Sequence, residues 1–180
     1  MGVRNYLIEG VSGTGKTSVA TELQRRGYHV IHGDRELAYE GDPVTGEPLD
    51  SSALDQNILD VAFRHRLHLW DVDKVKSLLA DKSHPISFFC GGSRNFHRFI
   101  DLFDEVFVLD VDAVTLKRRL AERPEDEFGG KPAEQELVLQ LHASKEDEPR
   151  NARIIDATAQ LSSVVDDILS SCGELNQNRR

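Results

Sequence analysis

Two cysteines in 180 residues, Cys90 and Cys172, are too few and too isolated for a disulfide scaffold or a zinc site. That scarcity fits a reducing compartment, and the expected location is the cytoplasm. No apolar run approaches the roughly 20 residues of a helical membrane span, and no charged-then-apolar leader opens the chain. Positive charge is also scarce: 22 Lys and Arg face 31 Asp and Glu, a formal net charge of -9. A nucleic-acid surface needs a broad basic face, so this balance argues against one and leaves room only for local basic pockets. An Asn-Lys-x-Asp guanine signature is missing, which argues against a GTP switch. Nothing repeats along the chain. Residues 1–175 are expected to form one domain, as a monomer or homodimer, with 176–180 as a disordered tail.

Against these absences stands one dense motif. Gly10-Val11-Ser12-Gly13-Thr14-Gly15-Lys16-Thr17 fits G-x-x-x-x-G-K-[ST] at every fixed position. Glycines let the backbone curl so that successive N–H groups converge on phosphate oxygens. Lys16 supplies a mobile charge for β- and γ-phosphates, and the Thr17 hydroxyl suits Mg²⁺. From Ser18 the residues read as a helix whose amino end adds orphan amides and a positive dipole. The apolar run Tyr6-Leu7-Ile8 precedes the loop, and Tyr28-His29-Val30-Ile31 follows Gly27, so the motif sits in the βαβ setting it requires. A site for ATP with Mg²⁺ is the expectation, built from Gly10, Ser12, Gly13, Thr14, Gly15, Lys16, Thr17 and Ser18.

Apolar runs at 3–9, 28–32, 86–90, 106–109 and 153–155 alternate with helical patterns near 15–26, 71–79, 112–122 and 133–145 and from Leu161 or Ser162 onward. A further helical stretch is expected from Ser51 or Ser52, with Leu54, Ile58, Val61 and Ala62 on one face, running on through His65 and His68 to Trp70. The segment Gly41–Pro48 has loop composition. Short buried strands between helices predict an α/β three-layer sandwich with a five-stranded parallel sheet. Ligands in such sheets bind beyond the carboxyl ends of the strands, where the remaining candidates fall.

Asp34, just past the second run, also reads as a helix N-cap or a turn, but beside the phosphate loop it is expected to serve an acceptor hydroxyl or Mg²⁺. Arg35, Arg64, Arg94 and Arg98 are candidate grips for an anionic acceptor, although Gly91-Gly92-Ser93-Arg94 also reads as an ordinary tight turn. The third run ends without the Asp or Glu that many phosphate-loop ATPases keep there, which favours Asp34 as the metal-side acid. Arg119 and Arg123, four apart and followed by the polar loop 124–131, suit a lid that contacts the nucleotide. His65 and His68 invite a metal reading by their spacing, but no second ligand pair accompanies them. Trp70 reads as packing, and Cys90 as a small apolar residue.

Taken together, the loop, Gly33-Asp34 and the Arg119-x-x-x-Arg123 pair resemble a small P-loop kinase. Residues 106–123 are similar to the adenylate kinase pattern leading into the lid, which implies Arg119 against adenine and Arg123 near the phosphates. Gly33-Asp34 is more similar to gluconate and adenylylsulfate kinases, and Gly91-Gly92 resembles shikimate kinase. The Asp-Gly-Phe-Pro-Arg signature of adenylate kinases is replaced by Cys90-Gly91-Gly92-Ser93-Arg94, and the shikimate kinase Asp-x-Asp is absent. The resemblance implies ATP-dependent phosphoryl transfer to a small-molecule hydroxyl or phosphate. Lys16, Asp34 and Arg123 are the expected catalytic residues, Thr17 and Asp34 the metal-side groups, and about 35–84 the acceptor-binding insert. The alternative is a nucleotide-binding regulatory protein with weak ATPase activity and no acceptor.

Overall fold

In the computed structural model, residues 3–50 and 60–173 are described. Strand β1 (Arg4–Glu9) feeds the loop and helix α1 (Lys16–Arg25). There follow β2 (His29–His32), the single turn α2 (Gly33–Glu36) and β3 (Ala38–Glu40). Next among the described elements come α3 (Val61–Arg66), β4 (His68–Trp70), α4 (Val72–Ala80) and β5 (Ile86–Cys90). Two short 3-10 turns, Phe96–Arg98 and Ile100–Leu102, lead to β6 (Glu105–Asp110). The chain closes with α5 (Ala113–Ala121), α6 (Pro132–Ser144), β7 (Arg153–Asp156) and α7 (Leu161–Ser171).

The main sheet has the order β2-β5-β1-β6-β7, with every pairing parallel. Alternation along each strand decides which layer a side chain joins. Tyr6 and Ile8 of β1, Phe88 of β5 and Phe107 and Leu109 of β6 meet α1, α5 and α7 on one face. Leu7, Ile31 and Phe89 point the other way, toward α4 and the aromatic pair Phe99 and Phe103. Helix α1 docks through Val19, Ala20 and Leu23, and α7 through Val164, Val165, Ile168 and Leu169, spacings that place each set on one helical face.

The short turn α2 and both strands of the β3–β4 ribbon went unforeseen. Residues 68–70, expected to continue a helix, form β4, which pairs antiparallel with β3 as a two-stranded ribbon. Past Arg66, Leu67, Leu69 and Trp70 are buried while His68 between them faces Asp34 at the cavity, a placement that the ribbon provides beside the core. Ser51 to Ile58, the expected start of that helix, lies outside the described residues, as does the expected tail 176–180.

Trp70 is the anchor of the ribbon. It is fully buried, stacks on Phe99 at a ring distance of 5.8 Å, and exchanges two backbone hydrogen bonds with the Asn95 side chain. A Cβ on Gly33 would stand 2.0 Å from Trp70 Cζ2, so only glycine lets α2 lie against the ring. Gly33→Ala is therefore expected to destabilise the protein by about 1–3 kcal/mol, read in urea or thermal melts. Trp70→Phe removes the clashing ring, so the Gly33→Ala penalty should shrink in the double variant. Strict additivity of the two changes would refute this packing account.

Candidate active site

A cavity of about 410 Å³ opens at the carboxyl edge of the sheet. Its floor is the phosphate loop. Gly10 has φ +150°, and a Cβ there would meet Thr14 Oγ1 at 2.6 Å and the Leu109 carbonyl at 2.9 Å. Thr14 closes the loop from inside by donating to the Val11 carbonyl at 2.7 Å. Lys16 reaches back over the loop, donating to the Gly10 and Val11 carbonyls. Helices α3, α4 and α5 are capped by the side chains of Asp60, Asp71 and Asp112, whereas α1 begins on left-handed Gly15 with no side-chain cap. Its first amides thus remain available to an anion.

Charge in the cavity is arranged unevenly. Asp34 Oδ1 accepts from His68 Nε2 at 3.1 Å, Trp70 Nε1 at 3.4 Å and the Gly92 amide at 3.3 Å. Burial works against its charge, but the His68 hydrogen bond, Lys16 and the Gly92 amide prevail and hold the carboxyl below its ordinary pKa. Desolvation pulls the Lys16 ammonium down, against Asp34 and Glu9. Asp147, in the loop after α6, stands 2.6 Å from Arg94 Nη1 and 2.9 Å from His65 Nε2. Burial opposes its charge too, and those two partners outweigh it. The Nε atoms of Arg64, Arg94 and Arg123 are buried with no hydrogen-bond partner among the described residues. Buried donors left unpaired are costly, and the phosphates of a nucleotide are suitable acceptors for them.

The expected residues divide into those that reach this cavity and those that do not. Gly10, Ser12, Lys16, Asp34, Arg64, Arg94 and Arg123 line it. Gly13, Thr14, Gly15, Thr17 and Ser18 complete the loop and the first turn of α1. Arg35 is exposed on α2 and does not line the cavity. Arg98, carried away by a 3-10 turn, lines a separate shallow depression with Tyr39 and Gly46. Arg119 and Arg123 do not share a helical face, because α5 ends at Ala121 ahead of Pro124. Arg119 instead bonds the carbonyls of Thr14 at 3.3 Å and Ala157 at 2.9 Å, bracing the loop against the end of β7. Arg123 turns into the cavity, with Glu127 at 3.4 Å. His65 and His68 also line the cavity, but from a helix and a strand, so their i, i+3 spacing is not a helical one.

Several lining residues escaped the sequence reading: Glu9, Glu134, Val138, Leu141, Asp147 and Phe128. Phe128 brings the 124–131 loop onto His65, stacking at 5.7 Å. Glu134 stitches that loop to α6 by accepting from the Gly129 amide at 3.0 Å and the Lys131 amide at 3.3 Å. Only the E-Q pattern three residues into a helix hinted at this contact.

Glu9, 3% exposed at the end of β1, is raised by desolvation to about 7, with Arg94 and Lys16 restraining the rise. The folded state therefore holds a proton that the unfolded chain releases near 4.5. Stability should fall as pH rises from about 4.5 to about 7, by on the order of 3 kcal/mol from this group. Glu9→Gln is expected to flatten that slope and to be the more stable protein at pH 8, as judged by urea melts. A slope identical in both proteins would refute the assignment.

The AAA domain family matches residues 7–140, a stretch that holds the loop, the ribbon, β5, α5 and the start of α6. A search of curated protein sequences gives no match. Several solved structures share the fold. A sugar kinase from Janibacter sp. HTCC2649 is 17% identical with TM-score 0.54, over 93% of this chain and 93% of that one. A gluconokinase from Sinorhizobium meliloti 1021 is 19% identical with TM-score 0.53, over 97% and 94%. A shikimate kinase from Bacteroides thetaiotaomicron is 16% identical with TM-score 0.60, over 94% and 98%. The fold is that of the small P-loop kinases, and the chain belongs to the AAA domain family.

Proposed function

We propose that this protein is a small-molecule kinase that transfers the γ-phosphoryl group of ATP to a hydroxyl or phosphate acceptor. The observation that carries the reading is one shared cavity. The phosphate loop, Asp34 and three arginines whose buried Nε atoms have no partner among the described residues open into the same 410 Å³ space, which extends past the loop to α3 and α6. A protein that only holds nucleotide has no use for the second half of that space. Its walls there are Arg64, His65, Leu141 and Asp147, enough to enclose a small acceptor.

Each residue has a defined task in this reading. Lys16 leaves the Gly10 and Val11 carbonyls to neutralise the β- and γ-phosphates, exchanging weak acceptors for a strong one. The loop amides and the uncapped end of α1 bind the β-phosphate. Arg123, beside the 124–131 loop, meets charge that develops on the transferred group. Thr17 and Asp34 offer hard oxygen donors that suit Mg²⁺, which supplies charge neutralisation between the β- and γ-phosphates when bound. Asp34 Oδ1 is engaged by three donors, and Oδ2, with no hydrogen bond among the described residues, orients an acceptor hydroxyl or a metal-held water. For a phosphate acceptor no base is required, and Asp34 then acts on the metal side alone. The 35–84 insert, with Arg64 on α3, sets acceptor choice, and 124–131 serves as the lid.

The test is acceptor-dependent ADP release across nucleosides, nucleotides, sugar acids and cyclohexene acids, guided by thermal shift with a non-hydrolysable ATP analogue. At least one acceptor should raise turnover well above background hydrolysis. ATP binding with no accelerating acceptor would sink the kinase reading in favour of a regulatory protein. With the productive acceptor, Lys16→Ala is expected to lower kcat by about 10²–10³-fold without loss of fold. Turnover unaltered by that change would remove the mechanism.

A further inference from the structure

Glu9 has no task in the scheme above, yet it is the most deeply buried acid lining the cavity. Among the described residues its carboxyl forms no ion pair and accepts a hydrogen bond from the Ser93 amide. Arg94 and Lys16 favour its charge through space without closing an ion pair, so a bound cation is a group that completes its environment as a carboxylate. Its location narrows what that group can be. Strand β5 ends in Cys90, with no acid where many phosphate-loop enzymes keep one on the metal side. Parallel register pairs Ile8 with Cys90, so Glu9 stands level with Gly91 on the same edge of the sheet.

The Gly91-Gly92 turn lies between two carboxylates. Asp34 Oδ1 is 2.8 Å from the point where a Gly91 Cβ would stand, and Glu9 Oε2 is 3.1 Å from the corresponding point at Gly92. Missing side chains on the turn are what let both acids come so near. Glu9, Asp34 and Lys16 line the same cavity, and Thr17 follows Lys16 in the first turn of α1. We propose that Glu9, from the strand beside β5, is a metal-side acid of the site, acting with Asp34 and the Thr17 hydroxyl on the hydrated divalent cation that accompanies the nucleotide. The assignment rests on the nucleotide-binding reading. All three donors are hard oxygens, the set Mg²⁺ and Mn²⁺ accept, and Mg²⁺ retains waters through which two carboxylates on a turn can act. Glu9 thus takes over, one strand along, the work of the acid that β5 lacks.

Mn²⁺ binding reads this directly, without turnover. Free Mn²⁺ is followed by electron paramagnetic resonance while it is titrated into protein saturated with a non-hydrolysable ATP analogue. Glu9→Gln should weaken Mn²⁺ in that complex by about tenfold, while analogue affinity in excess chelator stays unchanged. Thr17→Ala serves as the positive control. Should Glu9→Gln fail to fold, Glu9→Asp keeps the charge but withdraws it by one methylene, and its Mn²⁺ affinity should also fall. Mn²⁺ affinity equal to wild type in a folded Glu9 variant overturns the assignment and leaves the kinase reading standing. A wild-type protein that binds no nucleotide would overturn both.

Discussion

The carboxyl edge of the sheet is governed by one constraint: polar groups buried around the phosphate loop find few partners in the protein itself. Helix α1 begins without a side-chain cap, and the desolvated Lys16 bonds, among the described residues, to backbone carbonyls of its own loop. Arg64, Arg94 and Arg123 each bring a buried Nε to the same place. Such an arrangement opposes folding wherever a donor stays unpaired, and it is held only because the sheet and its helices bury enough apolar surface to outweigh it. The same imbalance is what a multiply charged phosphate ligand relieves.

The core on the α4 side does a second job beyond burial. Trp70 fills the space between the ribbon and the 3-10 turns, and its indole N–H reaches Asp34. Gly33 must lack a side chain for α2 to close over that ring. A packing contact in the core therefore fixes the direction of a carboxylate at the cavity. On the far wall Asp147 does comparable work, drawing Arg94 and His65 together while Phe128 lays the 124–131 loop over His65.

Local pattern was a sound guide wherever the cause was local. The loop motif, the five parallel strands and the helices α1, α4, α5, α6 and α7 follow from glycine placement, apolar period and Pro or Gly stops. It failed at His68–Trp70, where three residues are too few to show a period and read the same as helix or strand until their partner β3 is known. It failed again for Arg119 and Arg123, whose helical spacing is broken by the cap before Pro124. Arg35 and Arg98 share residue type and neighbourhood with Arg94, and only the turns that carry them separate the three.

What the sequence by itself determined is the phosphate loop and the class of sheet that presents it, because each loop residue answers to a backbone conformation set by its immediate neighbours. Tertiary structure alone decided which charges face one another. Glu9 beside Gly92, Asp147 on Arg94 and His65, and Glu134 beneath the loop amides are contacts between segments whose local patterns carry no trace of the partner. Strand order and register placed Glu9 level with the acid-free end of β5, and no periodicity along β1 encodes that neighbour.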